Sequence, residues 1–220
     1  MTWWNLLRLI SWGLVYYLNM KDMVNKLKPY HTEGLVEVGL DEVGRGCLSG
    51  PVVASAVILP PDFDYNIVKD SKKLSEKRRK EAYELIKEHA IDYSIEFVAP
   101  DFIDEHNILE ATMYAMHKCL NRIKTRFNHI LVDGNHFNKY NDIPYTCVVK
   151  GDNTYYSIAA ASILAKVTRD EFMKQVHNEY PNYKWDSNKG YGTKDHIEAI
   201  LEYGTTPHHR DSFLKNILQS

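Results

Sequence analysis

The sequence has few cysteines and almost no net charge. Its three cysteines, Cys47, Cys119 and Cys147, are odd in number and form no Cys-x-x-Cys pair, which argues against a disulfide framework and a zinc ribbon. A reducing compartment fits best, and we expect a cytoplasmic protein. A formal charge of −2 argues against a protein that coats nucleic acid by bulk charge, although a local basic face could still hold a phosphate backbone.

Long apolar runs and internal repeats are also missing. The most apolar stretch, WWNLLRLISWGLVYYL at residues 3–18, is short for a bilayer span, contains Asn5 and Arg8, and lacks a small-residue cleavage site. We predict that residues 1–33 are a poorly ordered N-terminal extension, which a natural translation start at Met20 or Met23 would explain. A membrane anchor and a docked helix are the alternatives. No stable membrane association is expected.

From residue 34 onward, the hydrophobic pattern alternates between strands and helices. Strands are predicted at LVEVGL, at VVASAVIL, in the segment after it, and at IDYSIEFVAP, HILVDG and PYTCVVKGD. Helical spacing follows Ser75, fills PDFIDEHNILEATMYAMHKCLNRI, and is longest in TYYSIAAASILAKVTRDEFMKQVHNEY. The order β-β-β-α-β-α-β-α predicts one α/β domain at residues 34–220, with a central mixed β-sheet flanked by helices.

Acidic side chains lie at the ends of three predicted strands. Asp41, followed by Glu42, ends the first strand, Asp133 ends ILVD, and Asp152 follows CVVKG. Open sheets gather such ends into one crevice, where like charges cannot all stay ionised without a compensating cation. Carboxylate ligands without a His or Cys cluster favour Mg²⁺ or Mn²⁺. The pattern therefore indicates a metal site that acts on phosphates.

Each acid also has a simpler explanation. Asp133-Gly134 and Asp152-Asn153 are acceptable turn dipeptides, and Asp152 could cap the helix that begins near Thr154. Clustered acids can also pair with nearby lysines and arginines. The residues alone leave the metal site and these structural uses open.

Six blocks of the sequence, taken together, resemble bacterial ribonuclease HII. They are GLDEVGRGCLSGPVVASAVILP, DSKKLSEKRR, VDGNHF, KGDNTYYSIAAASILAKVTRD, NKGYGTKDH and PHHRDSF. The resemblance covers residues 34–214. It implies a ribonuclease H-like fold and an endoribonuclease that cleaves the RNA strand of RNA–DNA hybrids and the 5′ side of single ribonucleotides embedded in duplex DNA. It further implies hydrolysis with two Mg²⁺ or Mn²⁺ ions, leaving 5′-phosphate and 3′-hydroxyl ends.

The resemblance also implies a role for particular residues. The catalytic, metal-binding quartet is Asp41, Glu42, Asp133 and Asp152. Gly44, Arg45 and Gly46 read the ribonucleotide, since glycines let main-chain groups approach a 2′-hydroxyl closely. Tyr191 stacks on the sugar of the following deoxynucleotide. Taken alone, the glycine pair is typical of a tight strand turn, and Tyr191 is one of 15 tyrosines with packing as the default role.

Basic residues are predicted to bind the phosphates of the substrate. Residues 69–80 contain seven Lys or Arg, which on a helix is ordinarily a solvated face. The resemblance selects Lys72 and Lys73 from this run, and Lys150, as substrate-binding residues. Lys166 and Asp170 are second-tier candidates, with Asp170 orienting Lys166 or a ligand.

Two rivals follow from the same residues. A non-catalytic nucleic-acid-binding module would have lost an acid, whereas all four are present. A different metal-dependent nuclease on the same fold would share the acids but not the sugar-reading residues. RNA–DNA hybrids and ribonucleotide-containing duplex DNA are the expected partners, and the chain is expected to be a monomer.

Overall fold

The structure, a computed structural model, describes residues 27–61, 63, 68 and 74–219. The apolar segment at residues 3–18, Lys72 and Lys73 lie outside the described residues. No helix in the described ranges is long and apolar enough to cross a membrane. Leu27 and Lys28, inside the predicted extension, pack on the domain: Leu27 is buried, and Lys28 N–H donates to Thr154 O at 2.7 Å. The boundary at residue 33 stays a prediction.

Five strands form one sheet, and this sheet is mixed, as predicted. They are β1 (Glu37–Val43), β2 (Val52–Ile58), β3 (Asp92–Val98), β4 (His129–Asp133) and β5 (Tyr145–Val148). Their spatial order is β3-β2-β1-β4-β5, with β1, β2 and β3 antiparallel and β1, β4 and β5 parallel. The strand predicted between VVASAVIL and the first helix does not form among the residues described there. The third strand of the sheet follows that helix instead.

Helices cover both faces of this sheet. The described residues contain α1 (Glu76–His89), α2 (Pro100–Arg122), α3 (Tyr156–Glu179), α4 (Trp185–Asn188), α5 (Lys194–Tyr203) and α6 (Asp211–Leu218). Helix α2 packs on one face against Val38, Leu40 and Ala54, while α1 and α3 share a core with Val57 on the other. The short helices α4, α5 and α6 pack around Met173 and Trp185 at the C-terminal half of α3. This α/β arrangement confirms the predicted fold class.

Helix α3 lies directly on β1 because Gly39 has no side chain. A Cβ on Gly39 would lie 2.3 Å from the carbonyl carbon of Ser157, so any larger residue would push the helix off the strand. This close approach sets Ser162 and Lys166 of α3 above the end of β1. The helix begins at Tyr156, and its N-cap, Tyr155, makes no side-chain capping bond. Asp152 therefore does not cap it, and that alternative explanation of Asp152 is wrong.

Candidate active site

The pairing of β1 with β4 brings two of the predicted acids together. Leu40 and Val132 are the last paired residues of these parallel strands, and the next residue on each is Asp41 or Asp133. Neighbouring strands lie about 4.8 Å apart, so the two acids leave the sheet side by side. Together with Glu42 they line a cleft of about 310 Å³. The remaining lining residues are Val43, Arg79, Ser162, Ile163 and Lys166.

Burial and mutual repulsion dominate the electrostatics of this cleft. Burial, followed by the charges of Glu42 and Asp133, raises the pKa of Asp41 well above its usual range. Hydrogen bonds from Ser162 and from the Glu42 N–H, at 2.7 Å, oppose this rise. Burial also raises the pKa of Glu42, although the nearby Arg45 guanidinium opposes it. The cleft thus concentrates negative charge that a bound cation would neutralise.

Asp152 lies beside these acids without lining the cleft. It is only 1% exposed and sits in the 3-10 turn Gly151–Asn153 that follows β5. The Gly151 N–H donates to Asp133 Oδ1 at 2.6 Å, so the same turn orients Asp133. The side chain of Asn153 donates to Asp152 Oδ1 at 3.0 Å. The structure therefore links the fourth acid to the site through the main chain of its turn.

The donor set of the cleft suits a hard divalent cation. Asp41, Glu42 and Asp133 offer only carboxylate oxygens, the ligands that Mg²⁺ and Mn²⁺ prefer. In the described parts of the chain, no three His, Cys, Asp or Glu residues form a ready-made metal cluster. Each acid instead directs an oxygen to a protein donor, as Glu42 does to Arg45 Nη1 at 3.3 Å. Metal binding by the four acids stays a prediction.

The glycine-arginine-glycine turn connects β1 to β2 at the edge of this cleft, and its two glycines differ. Gly44 has a φ of +90°, and a Cβ there would lie 2.3 Å from Arg169 Nε, so packing alone requires a glycine. A Cβ on Gly46 would have nothing within 4 Å. Packing within the described residues therefore does not explain Gly46, and the predicted contact with a substrate stays a prediction. The Arg45 side chain, 48% exposed, extends back toward Glu42.

Tyr191 lies next to this turn although it follows Gly46 by 145 positions in the sequence. It pairs with Cys47 in an antiparallel bridge, and Leu48 N–H donates to Gly190 O at 2.8 Å. Tyr191 is 40% exposed, so it is not a core residue, and its stacking on a sugar stays a prediction. Lys166 Nζ lies 5.9 Å from the ring centroid and bonds Asp170 Oδ1 at 2.7 Å. Asp170 thus orients Lys166, which stands between the acids and Tyr191.

Lys150 lies outside the cleft, whereas two residues that were not predicted, Arg79 and Ser162, lie inside it. Lys150 is exposed, has a φ of +59°, and precedes the Asp152 turn without lining the cleft. Arg79 and Ser162 line the cleft but were not predicted individually. Ser162, Lys166 and Asp170 recur every four residues on α3, which is the spacing that could have identified Ser162. Arg79 lies in the basic run at residues 69–80, from which no pattern separates it.

Comparison with known proteins identifies the family. The sequence model described as Ribonuclease HII matches residues 38–216. The chain belongs to the ribonuclease HII family. It is 54% identical over 187 residues to the Ribonuclease HII of Bacteroides thetaiotaomicron, covering 85% of this chain and 94% of that protein. As a member, it is a ribonuclease H-type hydrolase that acts on the RNA of RNA–DNA hybrids.

Solved structures of a ribonuclease H2 and of an RNase HIII share the fold. The ribonuclease H2 of Pyrococcus horikoshii aligns with a TM-score of 0.71 at 25% identity, covering 83% of this chain and 97% of that one. Bst-RNase HIII in complex with Mn²⁺ aligns with a TM-score of 0.63 at 20% identity, covering 84% of this chain and 70% of that one. The ribonuclease H-like fold predicted from the sequence is confirmed.

Proposed function

We propose that this ribonuclease HII family member cleaves on the 5′ side of single ribonucleotides embedded in duplex DNA as well as within RNA–DNA hybrids. Water attacks the phosphorus, and the bond from phosphorus to the 3′ oxygen of the upstream nucleotide breaks. The upstream strand then ends in a 3′-hydroxyl, and the ribonucleotide carries the 5′-phosphate. The four acids Asp41, Glu42, Asp133 and Asp152 are the proposed catalytic residues.

The observation that carries this proposal is the shared location of the sugar-reading elements and the acid cleft. Gly46 presents an open face of main chain, which suits close approach to a ribose. The exposed ring of Tyr191 lies beside it, and a flat ring stacks well on a deoxyribose that lacks the 2′-hydroxyl. A ribonucleotide at the turn followed by a deoxynucleotide at Tyr191 would place the preceding phosphate at the cleft.

The acids also support a dependence on divalent metal ions. Bound by the four carboxylates, two Mg²⁺ or Mn²⁺ ions would supply an activated water and stabilise the leaving oxygen of an in-line displacement. The Mn²⁺ complex of Bst-RNase HIII, a structure of the same fold, agrees with this class of ion. Ser162 and Gly151 N–H then act as orienting donors, which hold Asp41 and Asp133 in place.

Basic side chains around the cleft would hold the substrate backbone. Arg79 and Lys166 line the cleft, and the Arg45 side chain reaches its edge, so all three can contact phosphates near the scissile bond. We assign the flanking phosphates to Lys72, Lys73 and Lys150. We further propose a cytoplasmic monomer, because RNA–DNA hybrids form on replicating DNA and this site needs no second subunit.

Cleavage of a labelled DNA duplex with one ribonucleotide tests the proposal. We expect a single cut with Mg²⁺ or Mn²⁺, no cut with EDTA, and no cut in a matched all-DNA duplex. A protein that binds the duplex but cuts under no condition would support the binding-module alternative. Equal cutting of the all-DNA duplex would show a nuclease without sugar recognition.

A further inference from the structure

Two fully buried arginines lie beneath the glycine-arginine-glycine turn. Arg169 of α3 and Arg210, which precedes α6, are both 0% exposed. Among the described residues neither forms an ion pair, which is unusual for buried charges. Burial lowers the pKa of Arg210 to about 10, so the guanidinium keeps its proton at neutral pH. Their charges must therefore be compensated by other polar groups.

Arg210 is compensated by main-chain carbonyls of the turn. Nη2 donates to Gly44 O at 2.7 Å and Nη1 donates to Arg45 O at 2.9 Å. Nε and Nη2 also donate to Gly50 O at 3.0 and 2.8 Å. One planar group thus holds both ends of the loop that joins β1 to β2.

Arg169 connects the same loop to the Tyr191 segment. Nη2 donates to Ser49 O at 2.9 Å, Nε to Pro51 O at 2.9 Å, and Nη1 to Lys189 O at 2.7 Å. Lys189 stands two residues before Tyr191. Arg169 therefore fixes the distance between the two elements that would contact adjacent sugars.

The carbonyls held by Arg210 determine where the neighbouring amides point. In a trans peptide, the carbonyl of one residue and the N–H of the next point in opposite directions. With Gly44 O and Arg45 O directed inward at Arg210, the N–H groups of Arg45 and Gly46 face away from it. Neither N–H has an acceptor among the residues that the structure describes. Two aligned donors are therefore presented on the open side of the turn.

We infer that Arg210 and Arg169 are positioning residues that set the selectivity for a ribonucleotide, by holding the Arg45 and Gly46 amides and Tyr191 in the geometry that accepts a 2′-hydroxyl. This inference rests on the proposed function. Lysine cannot replace either arginine, because one ammonium cannot reproduce the planar fork that reaches several carbonyls at once.

The test compares Arg210→Lys with Leu214→Ala. Leu214 is fully buried in α6, packs in the cluster around Met173 and Trp185, and does not line the cleft, so its truncation lowers the melting temperature while both arginines and their carbonyl partners remain. Dissociation constants are measured in EDTA for a duplex with one ribonucleotide and for its all-DNA match. The kcat/KM for the first duplex is measured with Mn²⁺.

We expect Arg210→Lys to reduce the binding preference for the ribonucleotide duplex about 10-fold and kcat/KM by about 10- to 100-fold, because small displacements of positioning groups have effects of this size. Affinity for all-DNA duplex should stay unchanged, since phosphate contacts set it. Leu214→Ala should keep the binding preference for the ribonucleotide duplex, even where its melting temperature falls as far as that of Arg210→Lys. If Arg210→Lys does not fold, Arg169→Lys is tested with the same expectation.

Two results would overturn the inference: a folded arginine variant that keeps the full preference, or an equal loss of preference in Leu214→Ala. Failure of the proposed function looks different, since the unmodified protein itself would then show no preference between the two duplexes.

Discussion

Replacing Asp41 by Asn should abolish cleavage and yet stabilise the metal-free protein. Asp41 is 5% exposed and shares its cleft with Glu42 and Asp133. Two unit charges about 6 Å apart, at an effective dielectric constant of about 20, repel each other by about 3 kcal/mol. The neutral amide removes this repulsion and can still accept the Glu42 N–H, while losing about 1 kcal/mol from the bond with Ser162. A net gain of about 1–2 kcal/mol is expected.

Thermal unfolding in EDTA at pH 7 measures this gain. In a protein of this size, 1 kcal/mol corresponds to about 2–4 °C, so the melting temperature should rise by about 2–8 °C. Because the folded-state pKa of Asp41 is raised, its ionised form destabilises the fold at high pH, and the penalty disappears as pH falls toward the ordinary value of 3.8. The difference between variant and parent should therefore shrink on acidification.

Metal ions and a surface control complete the experiment. Mn²⁺ should raise the melting temperature of the parent protein and leave Asp41→Asn nearly unaffected, since the variant lacks a ligand. Asp142→Asn, whose side chain is 99% exposed, should change neither stability nor activity. An Asp41→Asn protein that melts lower in EDTA, or that still cleaves, would refute the reasoning about the acid cleft.

Three further predictions concern other parts of the molecule. Burial lowers the pKa of His209 from 6.5 to about 4, so the contribution of His209 to folding stability should be complete above pH 6.5 and fall by about 3 kcal/mol toward pH 4. Denaturant titrations over this range should show a smaller loss of stability in His209→Gln than in the parent protein, and an equal loss would contradict the assignment. Gly46→Ala should keep the melting temperature within about 2 °C, because the added methyl group meets no other residue. It should lower kcat/KM on the single-ribonucleotide duplex about 10-fold or more. An unchanged kcat/KM would show that the substrate does not approach the open face of Gly46. Arg79→Gln should weaken duplex binding equally for all sequences. It should also reduce the slope of the logarithm of the binding constant against the logarithm of the salt concentration by about 1. An unchanged slope would show that Arg79 does not contact a phosphate.

The strand-end acids show what the sequence could predict. Apolar runs that end in Asp41 and Asp133 indicated two neighbouring strand ends, and the parallel pairing of β1 with β4 brings them together. The helix near Thr154 was also predicted, but its first residue is Tyr156, and this small shift removes the capping role of Asp152. Helix ends depend on local turn geometry that hydrophobic spacing does not record.

The residues that hold the glycine-arginine-glycine turn in place could not be predicted. In sequence, Arg169 and Arg210 look like any surface arginine, because only the tertiary fold surrounds them with carbonyls. Likewise, Gly44 and Gly46 are equivalent in the motif, and only the position of Arg169 distinguishes a glycine needed for packing from one open to a substrate. Residues far apart in the chain that meet at one site leave no local periodicity to detect.

The most direct measurement is the position and chemistry of the cut in a duplex with one ribonucleotide. Hydrolysis in the acid cleft predicts a cut on the 5′ side of the ribonucleotide, with a 3′-hydroxyl on the upstream strand and a 5′-phosphate on the ribonucleotide, only with divalent metal. A cut on the 3′ side that leaves a 2′,3′-cyclic phosphate and a 5′-hydroxyl would mean that the 2′-hydroxyl itself attacks. That result would contradict the assignment of Asp41, Glu42, Asp133 and Asp152 as the catalytic residues.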